Sequence, residues 1–517
     1  MFANNPEFRK NLKLEFNLTR FIIPALILAL TAWIGWSSIT PQDWKHLPLD
    51  YYKGESLHGW MSGFGFIFTI IWGTYLAANS LFGEMKQKTW DFVRMSSLSP
   101  AKILIGKLFG ATSVVWVITL LGTVPLIIIA GTYMIPGSGI IRPEYQTIGS
   151  LILALMFWVI LSHTFTLLVG LYAQNKESRH TSIGSALTVM MMGLTIGAII
   201  TENYSREYQI LEIYHQEGQK PYMPEDAIVI EAGKFYMTPP QPVDWYSIKL
   251  KPLDATTFCL GFFALWSVIG AYRALRKSLQ YKDSPWVWMT FLITMSLFLN
   301  GFTIVTPELR NFLIWPIVLS VSTLLVTCSN EAGDIIRYRQ FADQCARKNF
   351  KEAFRLLPLW IISFAIFVVA ALANILLIHF MLIHPESYSY SGYNPESTAH
   401  LNSLEFIKGA LVFFGSLLVL MIRDILVFHV ISWKRSIRRP LLGMIVYMAI
   451  FYGFAPAIAD IFNNQSGPRY FFPFINAGAA ETQPNLLLYF ILHGGLITLV
   501  LLPFRRAWRT AFGEKLA

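Results

Sequence analysis

GEMKQKTWDFVRMSSLSPAKILIGK, residues 83–107, is the stretch on which the reading of this chain turns. It is charged and rich in helix formers, and it separates apolar runs at 58–82 and 103–134. Each run is long enough to cross a bilayer, which takes about 20 apolar residues. The stretch parses into two pieces. Glu84 to Met95 has helical composition, with Glu84 expected near the helix start, where the dipole favours an acid. Trp90, Phe92 and Val93 supply an apolar edge. Ser96 and Ser97 interrupt it. Ser99 then stands as a cap with Pro100 at the first position of a new helix, which enters the next span through Gly106 and Lys107. A short amphipathic helix held between two rigid spans suits mechanical coupling, because whatever grips it can tilt both.

Outward from this stretch the chain is mostly apolar. Of its 517 residues 54% are hydrophobic and 14% charged, where soluble domains carry about 25% charged residues. The apolar residues come in blocks, which predicts an all-α polytopic membrane protein, since a helix satisfies its own backbone in lipid. We expect twelve spans: 21–39, 58–82, 103–134, 147–173, 181–200, 255–272, 286–305, 312–328, 358–383, 406–432, 440–462 and 486–504. The 103–134 run is long and contains Pro125, where it is expected to kink or end. The first run has no small-residue cleavage site after Trp33 and Trp36, so it reads as an anchor. Three cysteines, Cys259, Cys328 and Cys345, suggest neither a disulfide framework nor a zinc site.

Lys and Arg set the orientation. With the N-terminus inside, 29 of the 41 fall in inner segments and 11 in outer ones, five of the 11 in one long outer loop. Both termini are therefore expected in the cytoplasm, in a plasma membrane of the bacterial inner type. The outer segment 201–254 is acidic at first, with Glu202, Glu207, Glu212, Glu217, Glu225, Asp226 and Glu231, then Pro-rich. Its first part is compatible with helix and its second with extended chain, and it reads as a small cap. Residues 1–20 carry a helix signal, Asn5 as cap and Pro6 at the first position. Phe8, Leu12 and Phe16 share one face, with Arg9, Lys10 and Lys13 opposite, as in a helix lying on the inner membrane surface.

The acid ending the second span, the Thr89-Trp90-Asp91 helix, the Ser99-Pro100 turn and Gly106-Lys107 together resemble the permease subunits of type-2 ATP-binding-cassette (ABC) exporters. The opening NPEFRKNLKLEF is similar to that family's interfacial helix, and YRALRKSLQ at 272–280 to the end of its six-span unit. The resemblance covers residues 1–280. It implies that residues 21–280 form one six-span unit, and that the loop 84–102 docks on a cytoplasmic ATPase through Glu84, Lys88, Trp90, Asp91, Val93 and Arg94. Residues 281–517 add six more spans. Ser329-Asn330-Glu331 closes the eighth span much as Asn79, Ser80 and Glu84 close the second, and a basic segment follows at 331–357. This suggests two exporter-like halves, with Glu331, Asp334 and Arg337 in a second coupling loop. The competing reading makes the second half an appendage. The assembly is then either a single-chain pseudo-dimer or a homodimer in membrane lipid.

No G-x-x-x-x-G-K-[ST] phosphate loop occurs, so ATP–Mg belongs on a partner chain; no cofactor is expected on this one, no enzyme activity, and no nucleic acid. Arg423 and Asp424 fall inside the tenth span, where a charge costs about 3 kcal/mol or more. Neighbours on a helix point about 100° apart, so these two are expected not to pair with each other. Each should find a partner on another helix or reach the inner surface near Lys434 and Arg435. His379, Met381, His384 and His400 have no shared helical face and do not read as a metal site. Two other functions are open. An ion-coupled secondary transporter would need buried carboxylates such as Asp424 and Asp460. A membrane glycosyltransferase would need a carboxylate pair from Asp43, Asp50 and Glu55, which show no recognisable spacing.

Overall fold

Long apolar runs with no partner strands fold as helices, because each backbone N–H then finds its carbonyl within the same segment. The computed structural model describes residues 5–38, 56–57, 60–61, 63–64, 68–132, 148–173, 209–212, 228–230, 235–238, 243–246, 248–281, 284–302, 314–383, 403–433, 440–454 and 486–512. Of these, 88% are helical. Among the described residues, five helices are long and apolar enough to cross a membrane: Arg20–Ser37, Ile152–Leu171, Leu253–Ser278, Leu359–Leu377 and Leu411–Trp433. A sixth is obtained if Pro100–Gly110 and Ser113–Val124, bent by 52°, count as one. Shorter apolar helices run over Trp286–Asn300, Trp315–Cys328 and Leu442–Tyr452. The expected span at 181–200 lies outside the described residues.

The chain forms two units, Met1–Asp283 and Ser284–Ala517. The first contains α1 (Pro6–Glu15), α2 (Leu18–Ser37), α3 (Thr74–Lys86), α4 (Trp90–Met95), α5 (Pro100–Ile105), α6 (Ser113–Thr132), α7 (Ile148–Ala173) and α8 (Pro252–Ser278). Its centre is the packing of α7 on α8. Thr257 donates to the Ser150 carbonyl at 3.0 Å, and Thr164 pairs with Ser267 at 2.6 Å. Residues early in α7 thus meet residues early in α8, and the two helices run parallel. Gly261 lets Phe157 lie against the α8 backbone: a Cβ there would stand 3.0 Å from the Phe157 ring.

Two sequence expectations are corrected here. The bend in the 103–134 run falls at the π-helical turn Gly106–Gly110 and the two residues after it, not at Pro125, which α6 passes through. The extra residue in a π-turn breaks the regular hydrogen-bond ladder and frees the axis to bend. The chain is also not all-α. The described residues within 209–250 hold five short strands: β1 (Gln209–Glu212), β2 (Ile228–Ile230), β3 (Phe235–Thr238), β4 (Val243–Trp245) and β5 (Ile248–Leu250). They pair antiparallel in the order β1-β3-β2, with Gln209 opposite Thr238 and Ile228 opposite Met237, and as a β4-β5 hairpin. The part expected to suit helix supplies β1 and β2: IVI and FYMT are rich in β-branched and aromatic residues that fit a pleated surface, and QILE pairs along FYMT.

The second unit contains α9 (Trp286–Asn300), α10 (Ile314–Glu331), α11 (Ile335–Ala346), α12 (Phe350–Leu356), α13 (Leu359–Ile383), α14 (Ser403–Trp433), α15 (Pro440–Ala449) continued by a π-turn at Ile450–Phe454, and α16 (Leu486–Phe512). Leu324, Phe367, Ala370 and Met421 form a core among α10, α13 and α14. On α14 and α16, Arg423 meets His493, and Trp433 stacks on Phe504, so these helices also run parallel. Each unit therefore has two short helices between its second and third long segments and a parallel helix pair at its end.

Candidate functional site: a charge-locked segment between two apolar helices

The element that resembles a coupling loop begins where α3 stops. Lys88 takes a left-handed φ of 58°. Its N–H bonds the Met85 carbonyl at 3.1 Å, and Thr89 N–H reaches back to the Glu84 carbonyl at 2.9 Å. This closes α3 in the way glycine commonly does, at a cost of about 1 kcal/mol for a residue with a Cβ. Glu84 therefore sits in the last turn of α3, not at a helix start as the sequence suggested. The dipole disfavours it there, and cations must hold it. Asp91 takes the first-turn position, in α4. Ser99 precedes α5 with extended backbone and Pro100 follows as expected, but the Ser99 side chain makes no cap bond.

The six side chains expected to touch a partner separate in space. Trp90 is 3% exposed and packs among Leu81, Ile103, Leu104, Leu167, Leu171 and Leu275, with Val93 beside it. Trp90 and Val93 therefore root the segment. Lys88, Asp91 and Arg94 face outward, and Asp91 and Arg94 form an i,i+3 pair at 3.5 Å. The tip is Phe92 and Met95, 71% and 75% exposed. The apolar edge read as Trp90-Phe92-Val93 is thus two edges, one inward and one outward.

Beneath the tip lies a cluster of four charges that the sequence did not reveal as a unit. The Lys107 ammonium, 3% exposed, donates to Glu84 at 2.7 Å and to the Ser80 carbonyl at 2.8 Å, and lies 3.7 Å from Glu7. It also sits 5.4 Å from the centre of the Trp90 ring. Lys10 bridges Glu84 at 2.8 Å and Glu7 at 3.1 Å. Two acids and two bases thus alternate across α1, α3 and the Gly106–Gly110 turn. Burial alone would raise the Glu84 carboxyl, but Lys107 and Lys10 together outweigh it and hold Glu84 below its ordinary range. Burial would lower the Lys10 ammonium, but Glu84 and Glu7 outweigh it and hold Lys10 above its ordinary range.

Glycines bring α1 this close. A Cβ on Gly106 would stand 2.7 Å from Glu7 Cγ and 2.9 Å from the Phe8 nitrogen; one on Gly110 would stand 3.0 Å from the Phe8 oxygen. Asn5 caps α1 by accepting from the Glu7 and Phe8 N–H groups at 3.1 and 3.3 Å, as its sequence position foretold, and donates to the Lys102 carbonyl at 2.7 Å. Asn11 donates to the Gly106 carbonyl at 3.2 Å. Glu7 and Asn11 are buried, so one polar face of α1 docks on protein. Glu7 and Asn11 were missed in the sequence, and Lys10 was read only as part of the polar side of α1. Their only signal was an i,i+4 polar stripe facing an i,i+4 glycine pair.

The second unit builds an analogous junction by itself. Glu331 ends α10, accepts from Arg337 at 2.6 Å and from the Leu359 N–H at 2.6 Å. Arg337 also donates to the Leu356 and Leu357 carbonyls at 3.1 and 2.8 Å. Asp334 caps α11 through the Arg337 N–H at 3.2 Å. The three residues read as a second coupling loop therefore tie the two ends of the 331–359 segment together, while Ile336 and Phe350, 71% and 73% exposed, form its outer face. Lys348, at φ 57°, turns α11 into α12 as Lys88 turns α3 into α4. Tyr338 anchors α11: it accepts from Trp360 Nε1 at 2.7 Å and donates to His429 Nε2 at 3.0 Å. Burial pushes its hydroxyl well above the ordinary value, so it stays a donor.

Arg423 and Asp424 correct the expectation that adjacent charges cannot pair. Arg423 Nε and Nη2 donate to Asp424 Oδ1 at 2.9 and 2.8 Å. The guanidinium is long enough to fold back along the helix, which a Cβ-direction argument ignores. Neither residue reaches a surface; they are 2% and 1% exposed. Both also find partners on other helices, as expected. Arg423 Nη1 meets His493 Nδ1 at 3.0 Å, Tyr447 donates to Asp424 at 2.5 Å, and Tyr452 donates to its other oxygen. Among the described residues no group of three His, Cys, Asp or Glu side chains could hold a metal ion; His384 and His400 lie outside them. Set beside known proteins, the chain matches no family model, no curated protein and no solved structure.

Proposed function

We propose that this chain is the transmembrane permease subunit of an ABC exporter in a bacterial inner membrane, driven by a separate cytoplasmic ATPase that grips the 84–102 segment. The observation that carries the reading is the arrangement of that segment. An exposed Phe92–Met95 tip stands on a root of Trp90, and the Glu7–Lys10–Glu84–Lys107 cluster ties the root to α1, α3 and the helix after it. A force on the tip passes through Trp90 and the Lys107 ammonium beside its ring to the cluster that joins these elements. The Lys and Arg bias supports a cytoplasmic position for the segment. The repeated junction at Glu331–Arg337 and the repeated parallel helix pair favour a single-chain pseudo-dimer over an appendage. ATP–Mg binds the partner chain.

An exposed tip makes the test clean. Phe92→Asp, in affinity-purified full-length protein from native membranes, should cut co-purifying ATP hydrolysis by about tenfold or more, the usual loss when an interface anchor is removed, with membrane insertion unchanged. Undiminished hydrolysis would argue against docking. Trp90→Asp would not discriminate, because it places a charge in the core. An ion-coupled secondary transporter is the second reading, favoured by the buried Arg423–Asp424 pair.

A further inference from the structure

Arg423 and Asp424 sit near the middle of the 23-residue apolar segment Leu411–Trp433. Charges buried at that depth are costly and mark function more often than packing. Here the pair is neutral by itself, and the third member is informative. Arginine has only donors. The 3.0 Å contact between Arg423 Nη1 and His493 Nδ1 therefore requires that Nδ1 carry no hydrogen. The bonded form of His493 is the neutral ring with its hydrogen on Nε2. A proton arriving on Nδ1 removes the acceptor and sets two cations 3.0 Å apart in a low-dielectric site, where like charges repel strongly.

We propose that His493 is a proton-binding site in the interior of the second unit, and that protonation releases α16 from α14. The proton comes from water and goes to Nδ1, and the Arg423–His493 hydrogen bond breaks. Arg423 keeps its fallback, since Asp424 still accepts two of its donors, and the rings of Tyr447, Phe451 and Tyr452 lie 5.7, 5.1 and 5.3 Å from its guanidinium carbon. The loss therefore falls on the α14–α16 contact and not on the α14–α15 one. Among the described residues, the ionisable groups bonded to Asp424 besides Arg423 are Tyr447 and Tyr452, from α15 and its π-turn, while His429 lies on α14 bonded to Tyr338 of α11. His429 bonds the Ile425 carbonyl at 2.7 Å and Tyr338 at 3.0 Å, which leaves it outside the Arg423 contact. The proposal rests on the second unit lying in a membrane, and not on the identity of any ATPase.

Hydrogen exchange by mass spectrometry reads the release directly. The full-length protein in phospholipid nanodiscs is compared at about pH 8 and pH 5, either side of the ordinary histidine range, with rates corrected for intrinsic pH dependence. Peptides within 491–512 should exchange about tenfold faster at the lower pH, the signature of a local opening, while peptides within 442–454 change little. His493→Gln keeps an acceptor but cannot take the proton, so it should abolish the difference; His493→Asn serves if that variant does not fold. Equal protection of wild type at both pH values would overturn the proposal, as would a pH response that survives in either variant. Loss of ATPase co-purification would leave this result untouched, so the two readings fail separately.

Discussion

At the scale of residues, stability of the 84–107 segment rests on charge balance. Lys107 is buried opposite Glu84 and Glu7. Removing one member of a buried ion pair leaves its partner uncompensated and costs about 3 kcal/mol. Lys107→Met should therefore lower the unfolding temperature of the purified protein clearly, and Glu84→Gln combined with Lys107→Met should cost less than the two single changes added. Additive losses would mean the groups do not interact. The pH limits follow from the shifts. Glu84 is depressed, so its contribution is complete above its ordinary value of 4.5 and is lost as pH falls through its lower folded value. Lys10 is raised, so its contribution is complete below its ordinary value of 10.5 and is lost as pH rises through its higher folded value. Docking of α1, followed by trypsin cleavage after Arg9 and Lys13 on brief pH shifts, should hold between those limits and weaken only outside them. Loss near neutral pH would contradict the cluster.

At the scale of elements, glycine contacts decide what the sequence could not. Gly106→Leu drives a side chain into Glu7 and the Phe8 backbone, so α1 should undock and its trypsin cleavage should speed up about fivefold or more, as expected for a cost of about 1–3 kcal/mol from overpacking. Gly83→Ala is the control: a Cβ there meets only Asn79 at 3.6 Å, and the change should be neutral or mildly stabilising. The sequence made the α1 cap legible because Asn5-Pro6 is a local signal. It also made the Ser99-Pro100 restart of helix legible. It hid the end of α3, since Lys88 adopts a conformation usually left to glycine and nothing local announces it. It hid the bend at Gly106–Gly110, because Pro125 is the stronger local breaker but lies in a stretch that stays helical. The strands at 209–250 were hidden by their acidic flanks, and the Arg423–Asp424 pair by the reach of a long side chain.

At the scale of the molecule, five to six helices of membrane-crossing length among the described residues fall into two units with a common plan. That the chain is largely helical and apolar was legible in its composition; that each unit ends in a parallel helix pair was not, because Thr164–Ser267 and Arg423–His493 are contacts across 70 residues or more. Orientation is testable with the native thiols. Cys345 on α11 is exposed, Cys328 is buried and Cys259 is half-buried. A membrane-impermeant thiol reagent should label Cys345 only after cells are permeabilised; labelling of sealed cells would reverse the topology. The most direct test of the central claim is photo-cross-linking from benzoylphenylalanine incorporated at position 92 of the full-length protein in living cells. The account predicts an adduct with a soluble ATP-binding polypeptide, absent when the probe stands at position 153 in α7. Adducts with lipid alone, or none, would contradict it.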